Sequence, residues 1–277
     1  NQTVTLSTDG QGATYATFIG GVDGHNTWEL NIPEGIGVCV DDLSKKPGSV
    51  GLRLYRPGKI TATVTVDLGG ENDPKLTDTA TITVNGVGVE TTDGTRTRLD
   101  LEMTAETPNP TASLTAYLME GRAVASWTSS NEDVATVDDK GVVTAKSIGS
   151  AIITATDDQG SKGGIKVVVT DAAKPTLESF AFTKGWGVGV NGLTFSPATF
   201  DYTGLSLASA ISKLEIANTT VYSDKLEAVA AYTDEKGEAQ TVAVPSGTAT
   251  NLLPNIAFGT SKLTVTLSRK DNQDVKS

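Results

Sequence analysis

Apolar and polar residues alternate along most of this chain. Clear runs are Lys59-Ile60-Thr61-Ala62-Thr63-Val64-Thr65-Val66, Ala80-Thr81-Ile82-Thr83-Val84, Ala151-Ile152-Ile153-Thr154-Ala155-Thr156, Ile165-Lys166-Val167-Val168-Val169 and Lys262-Leu263-Thr264-Val265-Thr266-Leu267. A period of two sends one set of side chains to a buried face and the other to solvent. β-Branched residues suit that pleated, half-buried surface, and threonine serves either face. Turns rich in Gly, Asp, Asn and Pro separate the runs at short spacing, the pattern of β-sandwiches. Two segments read instead as helix, Leu205 to Lys213 and Tyr222 to Tyr232. Neither is long enough to change the class, which is all-β.

A repeat organises the first two thirds. Trp28 is followed by Val38-Cys39-Val40-Asp41-Asp42, Pro57-Gly58-Lys59-Ile60-Thr61-Ala62-Thr63 and Ala80-Thr81-Ile82-Thr83-Val84. Trp127 is followed, in the same order, by Ala135-Thr136-Val137-Asp138-Asp139, Ile148-Gly149-Ser150-Ala151-Ile152-Ile153-Thr154 and Lys166-Val167-Val168-Val169. Repetition at this period means two related sandwiches in tandem. Each Trp is expected to be buried between two sheets, and the glycine of Asp138-Asp139-Lys140-Gly141 to supply a hairpin's positive φ.

Trp127-Thr128-Ser129-Ser130-Asn131-Glu132-Asp133-Val134-Ala135-Thr136-Val137-Asp138, with Gly141-Val142-Val143-Thr144-Ala145-Lys146 and Gly149-Ser150-Ala151-Ile152-Ile153-Thr154-Ala155, resembles the bacterial Ig-like group 2 domain. The likeness spans nearly all of 95–171. Residues 1–90 resemble it more distantly, since Leu30-Asn31-Ile32-Pro33 replaces the Ser-Ser-Asn turn. Leu177-Glu178-Ser179-Phe180-Ala181-Phe182-Thr183 and Leu193-Thr194-Phe195-Ser196-Pro197-Ala198-Thr199-Phe200-Asp201-Tyr202-Thr203 resemble the cadherin-like β-sandwich repeat of bacterial surface proteins. Three tandem immunoglobulin-like sandwiches are therefore expected, over 1–92, 93–172 and 173–277. In the cadherin-like family a final strand follows the turn seen here at Ser268–Asp274. The third sandwich is thus expected to lack its last strand, leaving an edge open to a neighbouring domain or chain. The opening Asn1-Gln2-Thr3-Val4, without methionine or signal segment, reads as a processed or excised piece.

Composition narrows the chemistry. One histidine and one cysteine exclude His- or Cys-rich metal centres, internal disulfides and any triad not built on His25. A net charge of −11 without a basic run argues against nucleic acid as a partner, and no apolar stretch is long enough for membrane insertion. His25, in Gly20-Gly21-Val22-Asp23-Gly24-His25-Asn26, reads as a surface-loop residue, and Cys39, between two valines, as a strand residue. The acidic pairs Asp41-Asp42, Asp138-Asp139 and Asp157-Asp158, with Glu71-Asn72-Asp73, read as turn acids; no Asp-x-Asp-x-Asp-Gly loop is present to gather calcium's six to eight oxygens. No catalytic residue, metal ligand or cofactor is expected.

One aromatic stands apart. Trp186 lies in Lys184-Gly185-Trp186-Gly187-Val188-Gly189-Val190-Asn191-Gly192, where strand alternation cannot place it. It either plugs the sandwich end or protrudes to stack on a sugar or a partner, with Asn191 beside it. The resemblances imply a non-catalytic extracellular segment, on a bacterial cell surface or secreted, acting in adhesion or in attachment to a glycan or a host or surface protein, and serving as a spacer. Other homes for such domains are a phage virion or filament, and the accessory region of a secreted glycoside hydrolase.

Overall fold

The computed structural model describes residues 1–8, 14–70, 74–183, 190–191, 206–207, 217–234, 236–247, 249–251 and 262–277. Among them there is no α-helix, and the longest strands have ten residues. The chain divides into two compact units. The first comprises 1–100, 111–145 and 151–167; the second comprises 101–110, 146–150 and 168–277.

The first sandwich contains β1 (Gln2–Thr5), β2 (Thr14–Ile19), β3 (Asn26–Asn31), β4 (Gly37–Cys39), β5 (Ser49–Leu54), β6 (Gly58–Val66) and β7 (Leu76–Asn85). One sheet has the order β1-β7-β6-β3, with β1 parallel to β7; the other has the order β2-β5-β4. Alternation does what the sequence predicts. Ile60, Ala62 and Val64 of β6 are buried, and they pack with Phe18, Trp28, Val50, Leu52, Leu54, Ile82 and Val84 into one core.

The second sandwich follows with β8 (Gly88–Thr91), β9 (Arg98–Met103), β10 (Thr111–Tyr117), β11 (Val124–Ser129), β12 (Ala135–Val137), β13 (Val142–Ala145), β14 (Gly149–Asp157) and β15 (Lys162–Asp171). Its sheets run β12-β13-β10-β8 and β11-β14-β15-β9. β8 lies within residues 1–92, yet it pairs with β10. The repeat read from sequence is a repeat of register. Trp28 lies opposite Val64 and Trp127 opposite Ala155, both six residues past the glycine that opens the partner strand. The environments differ, however. Trp28 is buried and donates from Nε1 to the Pro47 carbonyl at 2.8 Å, whereas Trp127 is only half-buried, its ring lying over Gly141. The expectation of two buried tryptophans holds for the first alone.

The remaining strands are β16 (Ser179–Thr183), β17 (Val190–Asn191), β18 (Ser206–Leu207), β19 (Ala217–Val221), β20 (Leu226–Thr233), β21 (Ala239–Ala243), β22 (Ala249–Asn251) and β23 (Thr264–Arg269). They form sheets β16-β19-β22, β17-β18 and β21-β20-β23. One expectation is corrected here. The segment Tyr222 to Tyr232 is not helical: β20 buries Leu226, Ala228, Ala230 and Tyr232 with a period of two, so sheet packing overrides the helix preference of its alanines. Of Leu205 to Lys213, Ser206–Leu207 is strand and the rest lies outside the described residues. Residues 265–277 are paired within the chain. β23 runs antiparallel to β20 along its whole length, and 275–277 fold back so that Leu267 and Ser277 exchange N–H···O bonds of 2.9 and 3.0 Å.

Candidate functional site

A single turn recurs and accounts for most of the acidic pairs. Asp138, Asp157 and Asp234 each accept backbone N–H groups two and four residues on through one carboxylate oxygen. A glycine near φ +80° closes each turn three residues after the aspartate. These carboxylates are committed to their own hairpins. Asp41 likewise accepts from Gly51 N–H, and Asp42 caps the short 3-10 turn Leu43–Lys45. Among the described residues no cluster of His, Cys, Asp and Glu is arranged to hold a metal ion.

Asp157 does more than turn the chain. It is 1% exposed and bonded to Arg122 at 2.7 Å. Burial alone would raise its pKa, but Arg122 and the N–H groups of Ser161 and Gln159 outweigh burial and hold it below the ordinary carboxylate range. The sequence reading took this residue for a plain turn acid; Arg122, 35 residues away in sequence, gave no local signal.

The other sequence candidates are scattered. His25 is exposed in a turn, with Nδ1 3.1 Å from the Asp67 carbonyl oxygen. Cys39 is half-buried on β4 against the first core. Trp186 lies outside the described residues. Asn191 pairs through β17 with Ser206, and nothing is described of its side chain.

Two features that sequence reading missed are built into the first unit. One surrounds Glu90. Only Gly86 and Val87 separate β7 from β8, and a Cβ on Gly163 would lie 1.7 Å from the Val87 carbonyl oxygen, so only glycine admits this approach. Beside it, Glu90 is 2% exposed and accepts from Arg56 through both oxygens, at 2.8 and 2.7 Å, and from Arg96 at 2.7 Å. The guanidinium of Arg56 lies 3.5 Å from the centre of the Tyr117 ring, and that of Arg96 lies 4.6 Å from the centre of Tyr55. Burial pushes the Glu90 pKa up, yet the two arginines more than reverse this and leave it low, while the bond to Glu90 raises Arg56. Arg56 follows β5, Glu90 lies on β8 and Tyr117 ends β10, so the cluster ties the first sandwich to the second.

The other feature is an apolar slot of about 160 Å³ at one side of the first sandwich. Trp28, Ala62 and Val64 line it from one sheet and Phe18 from the other. Ile19 and Leu76 stand at it with 85% and 63% of their surfaces exposed.

With this geometry in place, the match to known families is informative. Residues 111–168, from β10 into β15, match the family model described as bacterial Ig-like domain (group 2). Domains of this family are typically extracellular and non-catalytic. No curated protein matches the chain. Among solved structures, the chain is similar to the C-terminal 282-residue fragment of intimin, solved with the intimin-binding domain of the translocated intimin receptor. Identity is 18% over 65% of this chain and 64% of that one, with a TM-score of 0.25, so the chain spans a little under two thirds of the fragment. It is similar to extracellular cadherin domains 1–4 of protocadherin gamma B7 at 11% identity over 100% and 73% of the two chains, TM-score 0.24. The tandem Ig repeats of Dlar share 14% identity over 62% and 94%, TM-score 0.21. At these TM-scores the structural likenesses carry no argument about function.

Proposed function

We propose that the chain is a non-catalytic segment of a bacterial surface protein, acting in adhesion and as a stiff spacer between its attachment point and what it binds. The observation that carries this reading is the buried Arg56–Glu90–Arg96 cluster, together with the two-residue connection at Gly86–Val87. A flexible linker would let neighbouring sandwiches swing. Here a carboxylate fixed by two arginines resists that swing, which suits a part that transmits force rather than one that closes on a substrate. Trp186 and Asn191 are the proposed contacts for a glycan or protein ligand. The test is a glycan and host-matrix protein array probed with the chain. A ligand whose binding falls on Trp186→Ala is the expected result. A silent array from a chain that assembles into ordered polymers would point instead to a virion or filament component.

A further inference from the structure

Every arginine of this chain but one is paired with a carboxylate. Arg56 and Arg96 hold Glu90, Arg98 holds Asp100, Arg122 holds Asp157, and Arg269 holds Glu102 and Asp271. Arg53 has no carboxylate partner among the described residues, although acidic residues outnumber basic ones 33 to 22. Its Nε–H is buried without an acceptor, so the charge is only partly hydrated, while the residue as a whole is partly exposed. The guanidinium lies over the Tyr55 ring, 5.6 Å from its centre, which holds it in place.

Strand alternation decides what surrounds it. β5 sends Leu52 and Leu54 into the core, and Arg53 therefore stands on the outer face of sheet β2-β5-β4. Tyr15 of β2 and Val38 of β4 flank it in register. Side chains directly opposed in a sheet have Cβ atoms about 5 Å apart. Tyr15 is 62% exposed and Val38 is exposed as well, so an open cation stands between an aromatic ring and an apolar wall. Two residues back along β5, Gly51 brings no side chain to this face, and the Asp41 carboxylate beside it accepts the Gly51 N–H.

The second sandwich lacks this arrangement. Leu54 precedes Gly58 as Ala145 precedes Gly149, so Arg53 corresponds to Thr144. Thr144 stands between Thr111 and Thr136 in the same register. Three threonines suffice there, and the sandwich forms without the cation and the ring.

We propose that Arg53 and Tyr15 form a binding site for a carboxylate-bearing sugar residue, of the uronic or sialic acid class, at the end of a glycan. The outer guanidinium nitrogens donate to the carboxylate, and the C–H face of the sugar ring lies on Tyr15. A pyranose with a carboxylate on its ring carbon fits the spacing of about 5 Å between the two positions. The charge of −11 disfavours a polyanion and matches a single carboxylate. A carboxylate on a flexible peptide side chain would use Arg53 and leave Tyr15 idle. The site draws on neither Trp186 nor Asn191, and it stands whether or not the chain acts in adhesion.

The probes are methyl β-D-glucuronide and the α-methyl glycoside of N-acetylneuraminic acid, each titrated to about 10 mM and followed by NMR. Binding of at least one is expected, with a Kd of about 1 mM and shifts at the Arg53 and Tyr15 signals. Arg53→Thr and Tyr15→Thr install the residues of the second sandwich, and each should weaken binding about fivefold or more at unchanged Tm. Arg53→Lys keeps the charge but loses the planar fork, and should weaken binding too. On the unaltered chain, methyl β-D-glucoside, without the carboxylate, and N-acetylglutamate, without the ring, should bind about tenfold more weakly or less. The proposal is overturned if neither acidic sugar binds, if Arg53→Thr leaves binding intact, or if the glucoside or N-acetylglutamate binds as tightly as the acidic sugars.

Discussion

The first two sandwiches share seven strands in the same order and register, and they differ in how each is finished. The second has an eighth strand, β8, paired with β10; in the first, β2 is the end strand of its sheet among the described residues, and an apolar slot lies beside it. The first buries its tryptophan with a hydrogen bond to Pro47, while the second leaves its own only half-buried against a glycine turn. The repeat thus carries strand order and register, whereas the burial of each tryptophan is set sandwich by sandwich. The hydrophobic effect rewards whichever faces each set of loops allows to be buried.

The strongest way to sharpen this contrast is to truncate both tryptophans. Trp28→Ala should lower stability by about 4 kcal/mol, the cost of emptying a packed aromatic site, and Trp127→Ala by only about 2 kcal/mol. Urea denaturation measures both, and equal losses would show that the two rings do the same work. Glu90→Ala should come next, at about 3 kcal/mol, because it leaves two arginines facing each other without their carboxylate. Calorimetry should then show the first sandwich melting apart from the second, and a single unchanged transition would argue that the cluster does not join them.

Smaller effects probe the turns. Gly141→Ala puts a Cβ at φ +80° and 2.9 Å from the Trp127 ring, so about 2 kcal/mol should be lost. Gly94→Ala has a similar φ of +83° but open space around it, and should lose about 1 kcal/mol by the same denaturation. The least change comes from ion pairs of unequal burial. Glu90 and Asp157 have folded pKa values below their unfolded ones, so their stabilisation is complete above the ordinary carboxylate range of about 4 and is lost as pH falls from there through the lower folded values. Arg122→Ala should destabilise the chain most above pH 5 and flatten this acid limb. Lys75→Ala, which removes the exposed pair with Asp67 in the first sandwich, should leave melting unchanged at every pH.

Much of the fold was legible because sheets impose a short period. Ile60, Ala62 and Val64, or Ala151, Ile153 and Ala155, announce a buried face within one strand. The two tryptophans and the strand-opening glycines Gly58 and Gly149 revealed the repeat because their spacing survived. The alanines of β20 misled because helix preference is local and the sheet that overrides it is not. The last third is where an open edge is expected; there β23 pairs with β20 on one side and meets residues 275–277 on the other. Edge exposure depends on which strands meet, and no run of residues along one strand records that.

The sequence by itself determined the all-β class, the tandem repeat, the Asp-x-x-Gly hairpins and the scarcity of thiol and imidazole chemistry. Each of these is written in neighbours a few residues apart or in composition. Tertiary structure alone decided that Glu90 is buried between Arg56 and Arg96, that Asp157 holds Arg122, and that Trp28 is buried more fully than Trp127. The two ion pairs join groups 34 and 35 residues apart, and their energies arise from desolvation that exists only once the strands have assembled.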